Sequence, residues 1–196
     1  MTKRHTKIIR HTSETKINLA LHLDGSGLYT VSTPIPFFNH MLEAFAKHGL
    51  FDITLKATGD VHIDDHHLVE DVGLVLGEAL VKTIGNKKGL KRYGHFTLPM
   101  DETLVTVAVD FCGRPCLIYK SPAKKGRIKN FDLQLVGEFF QAVTNSAGLN
   151  LHILVHSGEN KHHIVEAIFK AFAKALDMAT QLDPRIKTIP STKGCL

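Results

Sequence analysis

The sequence has few of the features that mark membrane, secreted or disulfide-stabilised proteins. No segment approaches the roughly 18–20 uninterrupted apolar residues of a membrane-spanning helix, so we expect no membrane contact. The basic segment 1–12 is not followed by an apolar stretch, and no secretory signal is therefore expected. The three cysteines (Cys112, Cys116, Cys195) form no C-x-x-C pair, which predicts reduced thiols in a cytoplasmic protein.

The composition is otherwise that of an ordinary globular protein. Apolar residues make up 43% and charged residues 22% of the 196 positions, which excludes disordered, collagen-like and coiled-coil classes. The net charge of +5 fits either nucleic acid or an anionic small substrate. Histidine is unusually frequent, with 13 residues, several of them adjacent, and this indicates metal binding.

Hydrophobic periodicity predicts alternating strands and helices along the chain. The turn residues 24–27 follow the strand 15–23, so the segment 28–32 is expected to pair back on it as a hairpin. Further strands are expected at 50–58, 95–99, 103–111, 117–120 and 149–156. Helices are expected at 37–47, 66–85, 132–146 and 162–181, with Asp64 or Asp65 as the N-cap of the second. A loop rich in lysine and glycine covers 123–130.

The two halves of the chain repeat each other in sequence. With Gly49 set against Gly148, the Gly-Asp pair at 59–60 falls on the Gly-Glu pair at 158–159. After a gap of three residues, the segment 66–70 falls on 162–166. We therefore predict an α+β fold of two strand–strand–helix–strand–helix halves, 1–90 and 91–196, with helices packed on one face of sheet.

A His-His-x-x-Glu motif begins a predicted helix in each half. The two motifs supply His66, His67, Glu70, His162, His163 and Glu166. Adjacent helical residues lie about 100° apart, so the two histidines of a motif diverge and are expected to serve two different metal ions. Two metal sites with four protein ligands each need two more residues, and the candidates are His40 and His152. Because His152 lies in an apolar run, a histidine buried in the core is the rival interpretation for it. Imidazole and carboxylate ligands without thiolates suit Mn, Fe, Co, Ni or Zn.

The chain resembles the imidazoleglycerol-phosphate dehydratase family, through motifs that run in order from residue 10 to residue 194. In the first half these are Arg10-x-Thr12-x-Glu14-Thr15, Leu23-Asp24-Gly25-x-Gly27, Phe38-Asn39-His40-Met41-Leu42, His48-Gly49-Leu50-Phe51-Asp52, Gly59-Asp60 and Asp65-His66-His67-x-x-Glu70-Asp71. In the second half they are Pro99-Met100-Asp101-Glu102, Gly113-Arg114-Pro115, Leu151-His152-Ile153, Asn160-x-His162-His163-x-x-Glu166-Ala167 and Pro190-Ser191-Thr192-Lys193-Gly194.

The resemblance implies a fold, a reaction and an assembly. The fold would be related to the ribosomal S5 domain 2-like group. The reaction would be dehydration of D-erythro-imidazole-glycerol phosphate to imidazole acetol phosphate in L-histidine biosynthesis, with two Mn²⁺ per subunit. Subunits would assemble through trimers into a twenty-four-subunit shell with metals at the interfaces, and without a nucleic-acid or membrane partner. The chain length implies the monofunctional form, without an added phosphatase domain.

The resemblance also assigns roles to individual residues. The proton to be removed lies next to an imidazole rather than a carbonyl, so the ring must become an electron sink, which binding between two metals would achieve. Glu14, in the Arg-x-Thr-x-Glu-Thr motif, is implied as the acid/base, with Asp101 and Glu102 as alternative carboxylates. The positions implied for phosphate binding are Arg92, Arg114, Lys170, Ser191 and Lys193.

The sequence departs from the usual family pattern at three positions. Asn39 stands for an aspartate before His40, where it is expected to alter the interactions that orient this histidine. Ala44 stands for a glutamine expected to contact substrate, and Cys112 stands for a serine. Three other functions remain open: a dinuclear hydrolase of phosphate esters, a metal-storage shell, and an RNA-binding protein suggested by the S5-like fold and the isoelectric point near 9.1.

Overall fold

The computed structural model describes residues 4–196 and shows the same order of elements in each half of the chain. The first half contains β1 (His5–His11), β2 (Thr15–His22), β3 (Tyr29–Ser32), α1 (Pro36–Gly49), β4 (Asp52–Gly59) and α2 (His66–Ile84). The second half contains β5 (Tyr93–Met100), β6 (Thr103–Asp110), β7 (Cys116–Lys120), α3 (Gln134–Ala147), β10 (Asn150–Ser157) and α4 (Lys161–Thr180), with β8 (Arg127–Ile128) and β9 (Phe131–Asp132) inserted before α3.

Each half forms a four-stranded sheet with the same strand order. The orders are β1-β2-β4-β3 and β5-β6-β10-β7. The last strand of each sheet pairs in parallel with its neighbour, β3 with β4 and β7 with β10, and the helices α1 and α3 make the crossovers. The repeat read from the sequence is thus present in the topology, with one more strand per half than the predicted unit.

The predicted hairpin between β2 and β3 is wrong. β4 lies between these strands, pairing along its whole length with β2 and in parallel with β3. The turn at 24–27 is tied to the start of β4 instead: the backbone N–H groups of Ser26 in the turn and of Leu28 just after it donate to Asp52 Oδ1 at 2.8 and 3.0 Å. The turn residues were correctly recognised, but a turn does not specify which strand follows it in the sheet.

Two elements had no clear signal in the sequence. In β1 only Ile8 is buried, so this edge strand lacks the apolar alternation that identifies a strand. Its pairing with β2, from His5 opposite His22 to His11 opposite Lys16, is decided by the neighbouring strand. The short β8–β9 hairpin begins in the expected loop 123–130 and reaches the expected start of the helix at 132, and it buries Phe131.

The helices form a layer with one sheet on each side, so that each sheet carries helices on one face, as predicted for the α+β fold. α2 packs on β1 and β2, α4 packs on β5 and β6, and the halves meet where α1 contacts α4 and α2 contacts α3. Phe45 of α1 stacks on Phe172 of α4 with ring centroids 5.6 Å apart. Close approach of α2 and α3 requires glycine, because a Cβ at Gly77 would lie 2.6 Å from Ser146 Cβ. Within residues 4–196 no helix has the length and apolarity needed to span a membrane.

Candidate metal centre

The two His-His-x-x-Glu motifs occupy the first turns of α2 and α4, as predicted. Asn160 is the N-cap of α4, and its side chain accepts a hydrogen bond from the N–H of His162 at 2.9 Å. Asp65 occupies the N-cap position of α2, but Asp64 Oδ1 is the atom that accepts from the N–H of His66, at 3.2 Å. In both helices the backbone N–H of the first histidine is therefore bound by the side chain two residues before it.

Adjacent histidines diverge in both motifs. The rings of His66 and His67 are inclined at 89° with centroids 6.2 Å apart, and those of His162 and His163 at 90° and 6.3 Å. The geometry expected from the helical period is confirmed, and it repeats almost unchanged in the two halves. Two perpendicular rings at this separation direct their nitrogens towards different points in space.

The first histidine of each motif faces the glutamate one turn later. His162 Nε2 lies 2.9 Å from Glu166 Oε2, and His66 Nε2 lies 3.8 Å from Glu70 Oε2. His40 of α1 adds a third donor in the second half, with Nε2 3.4 Å from Glu166 Oε2. The donor atoms of His40, His162 and Glu166 all lie within 4.8 Å of one another.

Glu166 connects this donor group with a cation. Its Oε1 lies 2.5 Å from Lys170 Nζ, while its Oε2 faces His162 and His40. Burial would raise the pKa of Glu166, but the hydrogen bond and charge of Lys170 outweigh it, and the pKa lies below its usual value. The carboxylate is therefore ionised at neutral pH, as a metal ligand must be.

The second histidine of each motif has a carboxylate at Nδ1. His67 Nδ1 lies 3.0 Å from Asp60 Oδ2 and 4.0 Å from Glu14 Oε2. His163 Nδ1 lies 2.8 Å from Glu102 Oε2. The carboxylate hydrogen bonds raise the pKa of both histidines. The bond from His163, followed by those from the backbone N–H groups of Asn160 and Glu159, lowers the pKa of Glu102 to about 2.

A second possible donor group forms around His163. It combines His163 with Asp101 and Glu102, and His163 Nε2 lies 3.7 Å from Asp101 Oδ2. Both acidic residues belong to the tight turn between β5 and β6. The turn is strained, because Asp101 has φ of 48°, a left-handed conformation that favours glycine.

The predicted ligands do not all meet within one chain. Among residues 4–196, neither group of three or more clustered donors contains His66, His67, Glu70 or His152. His152 is exposed on β10, opposite Ala108 of β6, so it is not the core histidine that its apolar run suggested. The donor set of nitrogen and carboxylate oxygen without sulfur fits Mn²⁺ and the neighbouring divalent metals.

Glu14 is held at its place by the hairpin that carries it. Its amide N–H donates to Thr12 Oγ1 at 3.1 Å, and its carbonyl accepts from the N–H of Asp60 at 3.2 Å. The Glu14 side chain is 52% exposed, and its carboxylate has His67 as its neighbour. This half-exposed carboxylate is free to meet a substrate, which is the condition for proton transfer.

The predicted phosphate-binding residues lie in different surroundings. Arg92, whose φ is 72°, donates to both carboxylate oxygens of Asp110 at 2.6 and 3.1 Å and to the carbonyl of Pro190 at 2.9 Å. This contact attaches the tail that contains Ser191 and Lys193. Arg114 is exposed in the turn after β6, while Lys170 lies beside Glu166.

Two of the three unusual residues have clear structural roles. The Asn39 side chain accepts from the N–H of Thr33 and donates to the carbonyl of Thr33, both at 3.0 Å. An aspartate could not make the second bond, so Asn39 fastens the loop before α1. Cys112 is buried, with Sγ 3.4 Å from the Arg114 carbonyl. Ala44 is buried in α1.

Sequence reasoning missed Asp60 and gave Glu102 only as an alternative. A signal for Glu102 was present in the sequence. Glu14 and Glu102 each stand immediately before the second strand of a hairpin, and the threonine that begins each strand is 1% exposed. The repeat alignment began at Gly49 and did not reach these segments. For Asp60 the distance to His67 depends on the loop between β4 and α2, which no periodicity describes.

Known proteins resemble this chain over nearly its whole length. The sequence profile of the family described as imidazoleglycerol-phosphate dehydratase matches residues 33–176. Imidazoleglycerol-phosphate dehydratase from Geobacter sulfurreducens is 55% identical over 193 residues, covering 98% of this chain and 99% of its own. The enzyme of the same name from Pelobacter propionicus is 52% identical over 196 residues and covers 100% of both chains.

Solved structures agree with the fold. The crystal structure of imidazoleglycerol-phosphate dehydratase from Staphylococcus aureus matches with a TM-score of 0.82 at 39% identity, covering 91% of this chain and 99% of that one. The structure from Pyrococcus furiosus matches with a TM-score of 0.83 at 36% identity, covering 96% and 100%.

Proposed function

Because the chain belongs to the imidazoleglycerol-phosphate dehydratase family of hydro-lyases, we propose that it dehydrates D-erythro-imidazole-glycerol phosphate to imidazole acetol phosphate, with two Mn²⁺ per subunit. Membership of this family makes the chain a lyase of histidine biosynthesis. The exact substrate, the metal and the residue roles are the proposed part. A cytoplasmic location belongs to the proposal too, and the free thiols of Cys112, Cys116 and Cys195 support it.

One observation carries the proposal. One oxygen of the Glu166 carboxylate lies beside two histidines that can bind metal, and the other oxygen lies beside a lysine cation. Oε2 faces His162 and His40, and Oε1 faces Lys170. A substrate with an imidazole at one end and a phosphate at the other needs such an arrangement, since the ring requires metal and the phosphate requires positive charge.

The reaction removes a carbon-bound proton and a hydroxyl group and leaves the phosphate ester intact. The bound Mn²⁺ ions would hold the imidazole ring and stabilise negative charge on it. His66, His67, Glu70, His152, His162, His163, Glu166 and His40 are the proposed ligands. Glu14, exposed beside His67, would move the proton.

The phosphate end of the substrate would meet cations from two regions. Lys170 projects beside the donor group, and Arg92 connects β5 to the tail with Ser191 and Lys193. Arg114 completes the set from the turn after β6. Lys170→Met should raise KM more than Lys174→Met, one turn further along α4. Within residues 4–196 Lys170, unlike Lys174, forms an ion pair with Glu166 and so lies beside the donor group.

Assembly into trimers and a twenty-four-subunit shell is part of the proposal. Within residues 4–196 the first motif is not grouped with the second, so a site that uses both would take ligands from two chains. Native mass spectrometry with and without Mn²⁺ tests this. A monomer that binds two Mn²⁺ with high affinity would contradict shared sites.

The deciding assay removes metal by chelation, restores Mn²⁺, and follows ketone and free phosphate from imidazole-glycerol phosphate together. Ketone that appears only with metal, without phosphate release, is the expected result. Phosphate release instead would indicate a hydrolase. Bound Mn²⁺ with neither product would indicate a storage protein, and retention of nucleic acid that falls steeply with salt would favour RNA binding.

A further inference from the structure

Glu14 and Glu102 occupy corresponding places in the two halves but have different surroundings. Each stands immediately before the second strand of its hairpin, followed by a buried threonine. The Glu14 carboxylate lies 4.0 Å from the nearest histidine nitrogen, while that of Glu102 lies 2.8 Å from His163 Nδ1. The duplication therefore produced two related glutamates, of which only one is fixed.

Both oxygens of Glu102 are occupied. Oε2 accepts from His163 Nδ1. Oε1 accepts from the backbone N–H of Asn160 at 2.9 Å and of Glu159 at 3.2 Å, just before α4. Glu102 thus holds the beginning of α4 with one oxygen and the ring of His163 with the other.

The chemistry of the partners fixes the protonation of the histidine. An ionised carboxylate only accepts hydrogen bonds, so Nδ1 of His163 must carry the proton. In neutral imidazole the lone pair is then on Nε2, which is the atom left to bind metal. Asp60 imposes the same tautomer on His67 through the contact at 3.0 Å.

We propose that Glu102 and Asp60 are positioning residues that select the Nε2-binding tautomer of His163 and His67. This inference rests on the proposed metal site. In the first half Asp60 serves the histidine, which leaves the hairpin glutamate, Glu14, free for proton transfer. In the second half Glu159 stands at the position of Asp60, and its amide binds Glu102 instead.

Glu102→Gln should change the tautomer of His163 while keeping the hydrogen bonds that hold the start of α4. The amide oxygen is required by the N–H groups of Glu159 and Asn160, so the NH₂ group must face His163 Nδ1. Nδ1 then becomes an acceptor, the proton moves to Nε2, and metal binding is blocked. Asp60→Asn is a weaker probe, because Asp60 Oδ1 has no partner among the described residues and the amide can turn round.

The experiment titrates metal-free protein with Mn²⁺ and measures bound metal per chain, with melting temperature as a second readout. For Glu102→Gln we expect one class of Mn²⁺ site to weaken about 10–100-fold, while the melting temperature of the metal-free protein stays close to that of the unaltered chain. Glu14→Gln is the matched control and should leave Mn²⁺ binding unchanged.

Each other outcome counts against part of the argument. Unaltered Mn²⁺ affinity in Glu102→Gln, or an equal loss in Glu14→Gln, overturns the positioning role while leaving the proposed function intact. If the unaltered chain binds no Mn²⁺, the proposed metal site and this inference both fail. If Glu102→Gln does not fold, Asp60→Ala is the deciding variant. We expect it to bind Mn²⁺ several-fold more weakly, and unchanged Mn²⁺ binding would exclude the positioning role.

Discussion

The hydroxyl of Thr15 donates a hydrogen bond of 2.5 Å to Asp71 Oδ2, across 56 residues of sequence. The other oxygen of Asp71 accepts from Arg10 Nε at 3.0 Å and forms an ion pair with its terminal nitrogen at 2.9 Å. These bonds fasten the β1–β2 hairpin to α2, and with it the position of Glu14 relative to His67. The second half has Ala167 at the place of Asp71, and its hairpin is held through Glu102 instead.

Asp71→Ala should destabilise the protein by about 1–3 kcal/mol, because it removes the carboxylate that accepts from the buried Thr15 hydroxyl and from Arg10. Urea unfolding measures the change. Asp177→Ala in α4 is the control, since that side chain makes no hydrogen bond or ion pair within residues 4–196, and a change within about 0.5 kcal/mol is expected. Equal effects in both variants would contradict the role of the Asp71 bonds.

Glu14→Gln should lower kcat by about 10²–10⁴-fold, because the amide cannot transfer the proton. Metal content should not change, since Glu14 is not among the proposed ligands. Steady-state rates and metal analysis on the same sample check both statements. Glu138→Gln, at an exposed position on α3, is the control. If Glu14→Gln keeps a kcat near that of the unaltered chain, another residue transfers the proton.

His163→Ala should lose bound Mn²⁺, activity and the largest assembly together, since one ligand is removed from a site proposed to join chains. Metal analysis and native mass spectrometry give the two readouts besides activity. His156→Ala provides a comparison on β10, where within the described residues 4–196 the ring bonds only Thr106, at 2.8 Å. Full metal content and activity in His163→Ala would show that this ligand assignment is wrong.

Gly94→Ala should destabilise the protein by about 3 kcal/mol or more. A Cβ there would lie 1.9 Å from the Ala175 carbonyl oxygen and 2.8 Å from the Ala179 amide nitrogen, both backbone atoms of α4. Gly137→Ala is the opposite case, because its nearest neighbours are Tyr119 ring carbons at 3.6 Å and alanine favours a helix by about 0.5–1 kcal/mol. Chemical denaturation of the two variants should give changes of opposite sign.

The contribution of Asp52 to stability should disappear in acid. Although burial would raise the pKa of Asp52, hydrogen bonds from Leu28 and Ser26 and the nearby His22 lower it below the ordinary 3.8. A depressed pKa stabilises the fold above pH 3.8 and loses this effect as the pH falls through the lower, folded value. The gap in unfolding free energy between the unaltered chain and Asp52→Asn should therefore narrow from pH 6 to pH 3. A constant gap would contradict this account.

Much of the fold followed from local patterns. Alternating apolar residues located the central strands such as β2 and β6, and helical spacing with capping residues located α2 and α4, because these elements bury one regular face. β1 was missed because an edge strand with one buried side chain has no such pattern. The predicted partner of β3 was wrong because local patterns do not show which strand occupies the central position of a sheet. Here β4 lies between β2 and β3.

The sequence by itself determined the repeat, the two diverging histidine pairs and the family resemblance, because each rests on residue types at fixed spacing along the chain. Only the tertiary structure decided that His40 meets His162 and Glu166, that Asp60 and Glu102 hold the second histidines, and that Arg92 is bound to Asp110. The physical reason is distance along the chain: the partners lie 18 to 126 residues apart, except Asp60 and His67, which are seven residues apart across an irregular loop. Helix packing and strand order, rather than local periodicity, bring such side chains within hydrogen-bonding range.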